Sequence, residues 1–235
     1  MKLTDDDIKS IQTLGHYFAR VPKEQIAALI NRIFKSIDEN HGIVTEDTHS
    51  DILDVGTTAN MIIRDHYTAE YGFVYLYEKF IDALAEYLRG KKVLSVMSGT
   101  GILEHHLKLR GVDIISTDSG EWYGIPKYCA WPGNSLSVEM VDAVTAVHQY
   151  GNDVGYVLCS WPPYNERSAY DTIIAMRETN PNLTMIYIGE DMGGCCADND
   201  FFWTVSDDIV DDEIEHLQGL FKQFWAIHDS IRFFK

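Results

Sequence analysis

The chain has 235 residues, 46% hydrophobic and 12% aromatic, which suffices for one large domain, or one domain with an extension, around a full core. Its formal net charge is -17, and no Lys or Arg occurs between Glu178 and Leu220, which weighs against a nucleic-acid substrate held through cations at phosphates. No apolar run approaches the ~20 residues of a membrane span, and the opening MKLTDDDIKSIQ turns acidic too early for a signal peptide, so a soluble cytoplasmic protein is expected.

Residues 1 to 90 read as a helical N-terminal extension or cap. In TDDDIKSIQTLGHYF, Thr4 suits an N-cap, and the three acids after it suit the positive end of a helix dipole. PKEQIAALINRIFKSIDEN starts at Pro22 and sets Ile26, Ile30, Ile33, Phe34 and Ile37 on one stripe. HGIVTEDTHSDILDVGTT is polar and broken by glycine, and predicts a loop with at most a short helix. FVYLYEKFIDALAEYLRG predicts an amphipathic helix closed by Gly90.

From residue 91 to 235 the rhythm changes to alternating strands and helices. KKVLSVM reads as a buried strand, ILEHHLKLRG as a short helix, and VDIIST as a second buried strand ending at Asp118. This is a βαβ unit with parallel strands. VEMVDAVTAVHQYG predicts mainly helix, DVGYVLCS a strand, SAYDTIIAMRET a helix and LTMIYIG a strand. FKQFWAIHDSIRFFK has two strand-like runs around His228, Asp229 and Ser230, suggesting a closing hairpin. The fold class is therefore α/β, a doubly wound, Rossmann-like, mostly parallel sheet.

Ligands of such sheets bind beyond the carboxyl ends of the strands, and the chemistry-bearing residues fall there. Gly99 and Gly101 follow the first strand, where glycine permits a sharp turn and close approach to a ligand. Asp118 ends the second strand, where a carboxylate can accept from ribose hydroxyls. The dinucleotide fingerprint wants a further glycine where Glu104 stands, which disfavours a nicotinamide enzyme. Glu190 and Asp191 follow the fourth clear strand among Gly189, Gly193 and Gly194; they either orient a cationic or amine-bearing substrate or belong to the solvated acidic face. The four cysteines, Cys129, Cys159, Cys195 and Cys196, form no CxxC pair, and His105 and His106 are adjacent on a helix, so no metal site is expected.

VLSVMSGTGILEHHLKLRGVDIISTD resembles the first βαβ unit of class I S-adenosylmethionine-dependent methyltransferases. Gly99 and Gly101 match the last two glycines of that family's acid-x-Gly-x-Gly-x-Gly loop, and Asp118 matches its ribose-binding acid. Ser95 stands where the family has the acid that helps hold the methionine part of the cofactor, and Met97 replaces the first glycine. SWPPYN resembles the (Asp/Asn/Ser)-Pro-Pro-(Tyr/Phe/Trp) motif of amino-group methyltransferases, with Pro162, Pro163 and Tyr164 in register. Trp161 occupies the first position, where the family has a group that accepts from the target amine; an indole carries only an N–H donor. RDHYTAEYGF, SWPPYN, YIGEDMGG and IHDSIRFF together look like a group of methyltransferase-like proteins.

The resemblance implies S-adenosylmethionine as cofactor and methyl transfer to a small-molecule or protein acceptor. It places Ser95, Met97, Ser98, Gly99, Gly101, Asp118, Ser119, Ser160, Tyr67 and Tyr71 at the cofactor, and Trp161, Pro162, Pro163 and Tyr164 at the acceptor. Asn134 and Ser135 lie where a loop would reach the adenine. The alternative is a non-catalytic binding protein on a retained methyltransferase fold, docking a basic partner through its acidic surface.

Overall fold

The computed structural model describes residues 1–14, 21–121, 137–205 and 208–235. In chain order the elements are α1 (Asp5–Leu14), α2 (Lys23–Glu39), α3 (Glu46–Asp54), α4 (Gly56–Tyr71), α5 (Glu78–Tyr87), β1 (Lys92–Val96), α6 (Ile102–Leu109), β2 (Asp113–Asp118), β3 (Val138–Met140), α7 (Ala143–Tyr150), β4 (Tyr156–Ser160), α8 (Ser168–Thr179), β5 (Thr184–Glu190), α9 (Asn199–Thr204), α10 (Asp212–Leu220) and β6 (Asp229–Phe234). No helix among the described residues is long and apolar enough to cross a membrane.

The strands form one sheet in the order β3-β2-β1-β4-β5-β6. All neighbours are parallel except β6, which runs antiparallel to β5. The chain winds outward from β1 through β2 to β3, then crosses back to β4 and winds the other way. The strand order therefore reverses between β1 and β4, and this doubly wound, Rossmann-like plan opens its crevice there.

Alternation along each strand separates two cores. Val93, Ile114, Leu158, Ile186, Ile188, Ile231 and Phe233 face one side. There they pack with Ile30, Ile33 and Phe34 of α2, Phe80 and Leu84 of α5, and Ile214 and Leu217 of α10. Leu94, Val96, Val157, Cys159, Met185, Tyr187 and Phe234 face the other side, against Ala146, Val147, Ile173, Met176 and Phe201 of α7, α8 and α9. Each such buried side chain contributes roughly 1.5–3 kcal/mol of apolar burial.

One local reading holds against the structure and several change. Thr4 does cap α1, its Oγ1 accepting from the Asp7 amide while Asp7 accepts from the Thr4 amide in return. The polar stretch after Gly42 holds a full helix, α3, because Thr45 caps it through the Thr48 amide. The helix expected over 73–90 starts only at Glu78; the residues before it are extended and bridge Tyr77 to Val44. Val138–Met140 is an edge strand rather than the start of a helix, which begins after Asp142 caps the Thr145 amide. The tail forms one strand instead of a hairpin: β6 pairs with β5, and 221–228 is an irregular connection.

Acids that read as a solvated face have local work. Asp198 and Asp211 are N-caps, accepting from the amides of Phe201 and Ile214. Asp191 and Asp208 pair with Arg232, and Asp200 pairs with Arg167.

Candidate active site at the carboxyl edge of the sheet

The loop after β1 is a left-handed turn. Met97, Gly99 and Gly101 have φ of 53, 56 and 74°. Met97, standing where a glycine was expected, thus adopts a glycine-like backbone that L side chains rarely take. The Ser98 amide donates to Thr117 O at 3.0 Å, and the Gly101 amide to Ser98 O at 2.9 Å. A Cβ placed on Gly99 would meet no atom within 4 Å, so the turn fronts open space.

Asp118 fixes this turn from the end of β2. Its Oδ2 accepts from the Gly99 amide at 2.8 Å and its Oδ1 from the Gly120 amide at 2.7 Å. Ser119 is exposed, its hydroxyl receiving the Glu121 amide.

Behind the turn lies an acid that the sequence reading used only to disfavour a nicotinamide cofactor. Ser95 is fully buried, and its Oγ donates to Glu104 Oε1 at 2.6 Å, while Ser98 Oγ donates to Ser95 Oγ at 3.1 Å. A carboxylate therefore stands beside Ser95 although the strand has none; it comes from the first turn of α6. Glu104 Oε2 is buried with no hydrogen-bond partner among the described residues. Burial raises the Glu104 carboxyl above its ordinary range, against the pull of the Ser95 hydrogen bond.

Trp161, directly after β4, also has left-handed backbone, with φ 49°. Its amide donates to Ile188 O at 2.7 Å, and its indole Nε1–H donates to Asp229 Oδ2 at 3.1 Å. Phe73, from the segment before α5, stacks on the Trp161 ring at 5.1 Å and 19°. Pro162 is buried, and Pro163 and Tyr164 are exposed, Tyr164 by 66%. The loop is fastened to the turn after β5: the Ala197 amide donates to Pro162 O, and the Asn165 amide to Ala197 O. Ser160 ends β4 partly exposed, opposite Ile188.

Asp229 opens β6 directly opposite Glu190, the last residue of β5. Both are buried. Glu190 accepts from the His228 amide at 3.0 Å and the Cys195 amide at 2.8 Å. Burial alone would push it up, but these N–H donors outweigh that and hold its carboxyl below the usual range. Asp229 has the opposite balance. Burial pushes its carboxyl up to about 7; the Glu190 charge adds to the push, and the Trp161 N–H and Arg64 of α4 oppose it. Its Oδ1 is buried with no hydrogen-bond partner among the described residues. Gly194 lets the turn close on Glu190, since a Cβ there would sit 2.4 Å from the Glu190 Cβ.

The structure brings Ser95, Met97, Ser98, Gly99, Gly101 and Asp118 together at the end of β1, and Trp161 to Tyr164 across the crevice after β4. Tyr67 and Tyr71 lie elsewhere, in the core of the N-terminal helices. The Tyr67 hydroxyl donates to Gly42 O at 2.8 Å and accepts from the Leu76 amide; that of Tyr71 donates to Asp38. His106 is buried against His41 O, and Asp191 is engaged by Arg232. Asn134, Ser135 and Cys129 fall outside the described residues. Glu104, Asp229, Arg64 and Phe73 are the residues that sequence reasoning did not assign. The signal for Asp229 was an acid at the head of a strand, in alternation with the apolar Ile231 and Phe233.

No protein-family model matches the chain, and no curated protein matches it. Among solved structures it is similar to TehB from Haemophilus influenzae at 15% identity and TM-score 0.40, covering 73% of this chain and 66% of that one. It is similar to a SAM-dependent methyltransferase from Agrobacterium tumefaciens at 10% identity and TM-score 0.36, covering 76% and 62%. Magnesium protoporphyrin IX methyltransferase from Synechocystis PCC 6803, a structure with bound SAM, is similar at 15% identity and TM-score 0.40, covering 77% and 86%. The chain spans less than two thirds of the first two proteins' length, and likeness at these scores carries no argument about chemistry.

Proposed function

We propose that the chain is an S-adenosylmethionine-dependent methyltransferase acting on a small-molecule or protein acceptor. The observation that supports this reading is the Asp118 carboxylate bonded to the Gly99 amide, which sets a ribose-type acid and a glycine turn together at the strand-order reversal.

The residues present suit the cofactor. Open space in front of Gly99 admits a ligand against the backbone, and Asp118 is the carboxylate for ribose hydroxyls. The unpartnered Glu104 Oε2, behind Ser95 and Ser98, suits the ammonium of the methionine end. When bound, S-adenosylmethionine supplies an electrophilic methyl group on a sulfonium whose departure leaves a neutral thioether. The protein's part is to orient an acceptor and exclude water, and Trp161, Pro162, Pro163 and Tyr164 form the wall for it across the crevice. A reaction of this kind needs no nucleophilic side chain.

The acidic docking surface of the alternative reading has less support, because many of its acids are helix caps or partners of Arg167 and Arg232. Calorimetric titration with S-adenosylhomocysteine tests the proposal. Saturable heat that is lost in Asp118→Ala is expected; no heat and no thermal shift at millimolar ligand would sink it.

A further inference from the structure

Resting on the methyltransferase reading, we propose that the acceptor is an amine and that Asp229 Oδ1 takes its proton. Three observations converge on this atom. It is buried at the carboxyl edge, and no hydrogen-bond partner meets it among the described residues. An acceptor left in that state costs about 1–3 kcal/mol, so native structures rarely keep one without a use. The other oxygen of the same carboxylate is held by the Trp161 indole, the residue that replaces the amine-accepting position of the Pro-Pro-Tyr motif. That tryptophan is itself kept at φ 49°, in a conformation that the surrounding structure must impose. The accepting group absent from the loop is thus supplied from β6, and Trp161 positions it.

The neighbours favour a basic partner. Glu190 faces Asp229 across the strand pair and stays ionised, since its carboxyl is held low. Two carboxyls beside each other attract an ammonium and repel an anion. An amine arrives protonated and cannot act as a nucleophile in that form. The step at Asp229 is a proton transfer: one N–H bond breaks, the electron pair stays on nitrogen, and an O–H bond forms on Oδ1. The neutral amine is then the nucleophile, and the carboxyl returns its proton to solvent after product leaves. A carboxyl whose burial places it near neutrality can both take and release that proton.

The groups facing Asp229 from other elements are Arg64 on α4, Glu190 on β5, and Cys196 in the turn after β5, whose thiol burial pushes up to about 12. His228, next in the chain, is exposed and is removed as a contributor by His228→Gln.

The test uses benzylamine as probe, followed by saturation-transfer NMR with S-adenosylhomocysteine present, between pH 6 and pH 8. Benzylamine should bind saturably, tighter as pH rises and Asp229 ionises, and His228→Gln should keep that rise; benzoate should not bind. Asp229→Asn should weaken the probe at least tenfold and flatten its pH profile, while S-adenosylhomocysteine affinity stays within twofold. Trp161→Phe keeps the ring but removes the donor, so its midpoint should move to higher pH. Probe binding that ignores Asp229→Asn, that is flat with pH in the wild type, or that is missing while S-adenosylhomocysteine still binds would overturn the amine assignment alone. Failure of the wild type to bind S-adenosylhomocysteine would overturn the methyltransferase reading and this inference with it.

Discussion

Ser95 on β1 donates its hydroxyl to Glu104 on α6 at 2.6 Å, so a helix returns to the strand end the carboxylate that the strand itself lacks. Ser98 extends the chain of hydroxyls toward the turn. An ammonium-bearing ligand in the turn would therefore meet acid-backed serines.

Glu104→Gln is expected to weaken S-adenosylhomocysteine at least tenfold, about 1.4 kcal/mol, because the amide NH2 that replaces a carboxyl oxygen cannot accept from the ligand's ammonium. Methylthioadenosine, which lacks the amino-acid end, should bind the variant and the wild type alike. Calorimetry with both ligands checks this, and equal losses for the two would refute the role.

Gly99→Ala separates binding from folding. The left-handed backbone costs an L residue about 1–2 kcal/mol, and the new Cβ meets only open space. The melting temperature should fall by roughly 2–8 °C, while S-adenosylhomocysteine affinity falls at least tenfold because the methyl occupies the ligand's approach. Unchanged affinity would show that the turn does not face the ligand.

Asp229 also sets a pH dependence of stability. Its folded carboxyl titrates near 7, above the ordinary 3.8, so between these values the folded state holds a proton that the unfolded chain has released. Stability from this group is full below about pH 4, declines as pH rises, and levels off above about 7. Asp229→Asn should remove the decline and exceed the wild type by up to roughly 4 kcal/mol at pH 8. Urea denaturation at pH 5 and pH 8 measures the difference; parallel profiles would exclude a raised carboxyl. The variant that weakens amine binding should thus be the more stable protein in mild base.

Phe73→Ala should cost about 0.5–1.5 kcal/mol through loss of the ring pair with Trp161, beyond the area lost. It should also shift the indole fluorescence. An unshifted spectrum would mean that the wall does not depend on the N-terminal segment.

The order of β1, α6, β2, β4, α8 and β5 was readable because each strand is a short apolar run bounded by glycine or polar residues. β3 was not, since its three residues are partly or fully exposed at the sheet edge and carry no apolar pattern. The glycine turn and its acid were legible because one local motif holds them, as with Gly99, Gly101 and Asp118. Glu104 was seen only as a missing glycine, because its meaning depends on a helix folding back onto Ser95. Asp229 was hidden for a similar reason: it meets Trp161 only after β6 inserts antiparallel to β5. Tyr67 and Tyr71 looked site-like by position, yet their hydroxyls close polar gaps in the N-terminal core.

Trp161 is the side chain, among the described residues, that packs against both apolar cores. Any ligand that turns its indole must displace neighbours on both faces of the sheet at once. Filling the crevice should therefore stiffen the segments that hold the indole, and amide hydrogen exchange around Phe73 and in β6 should slow in step.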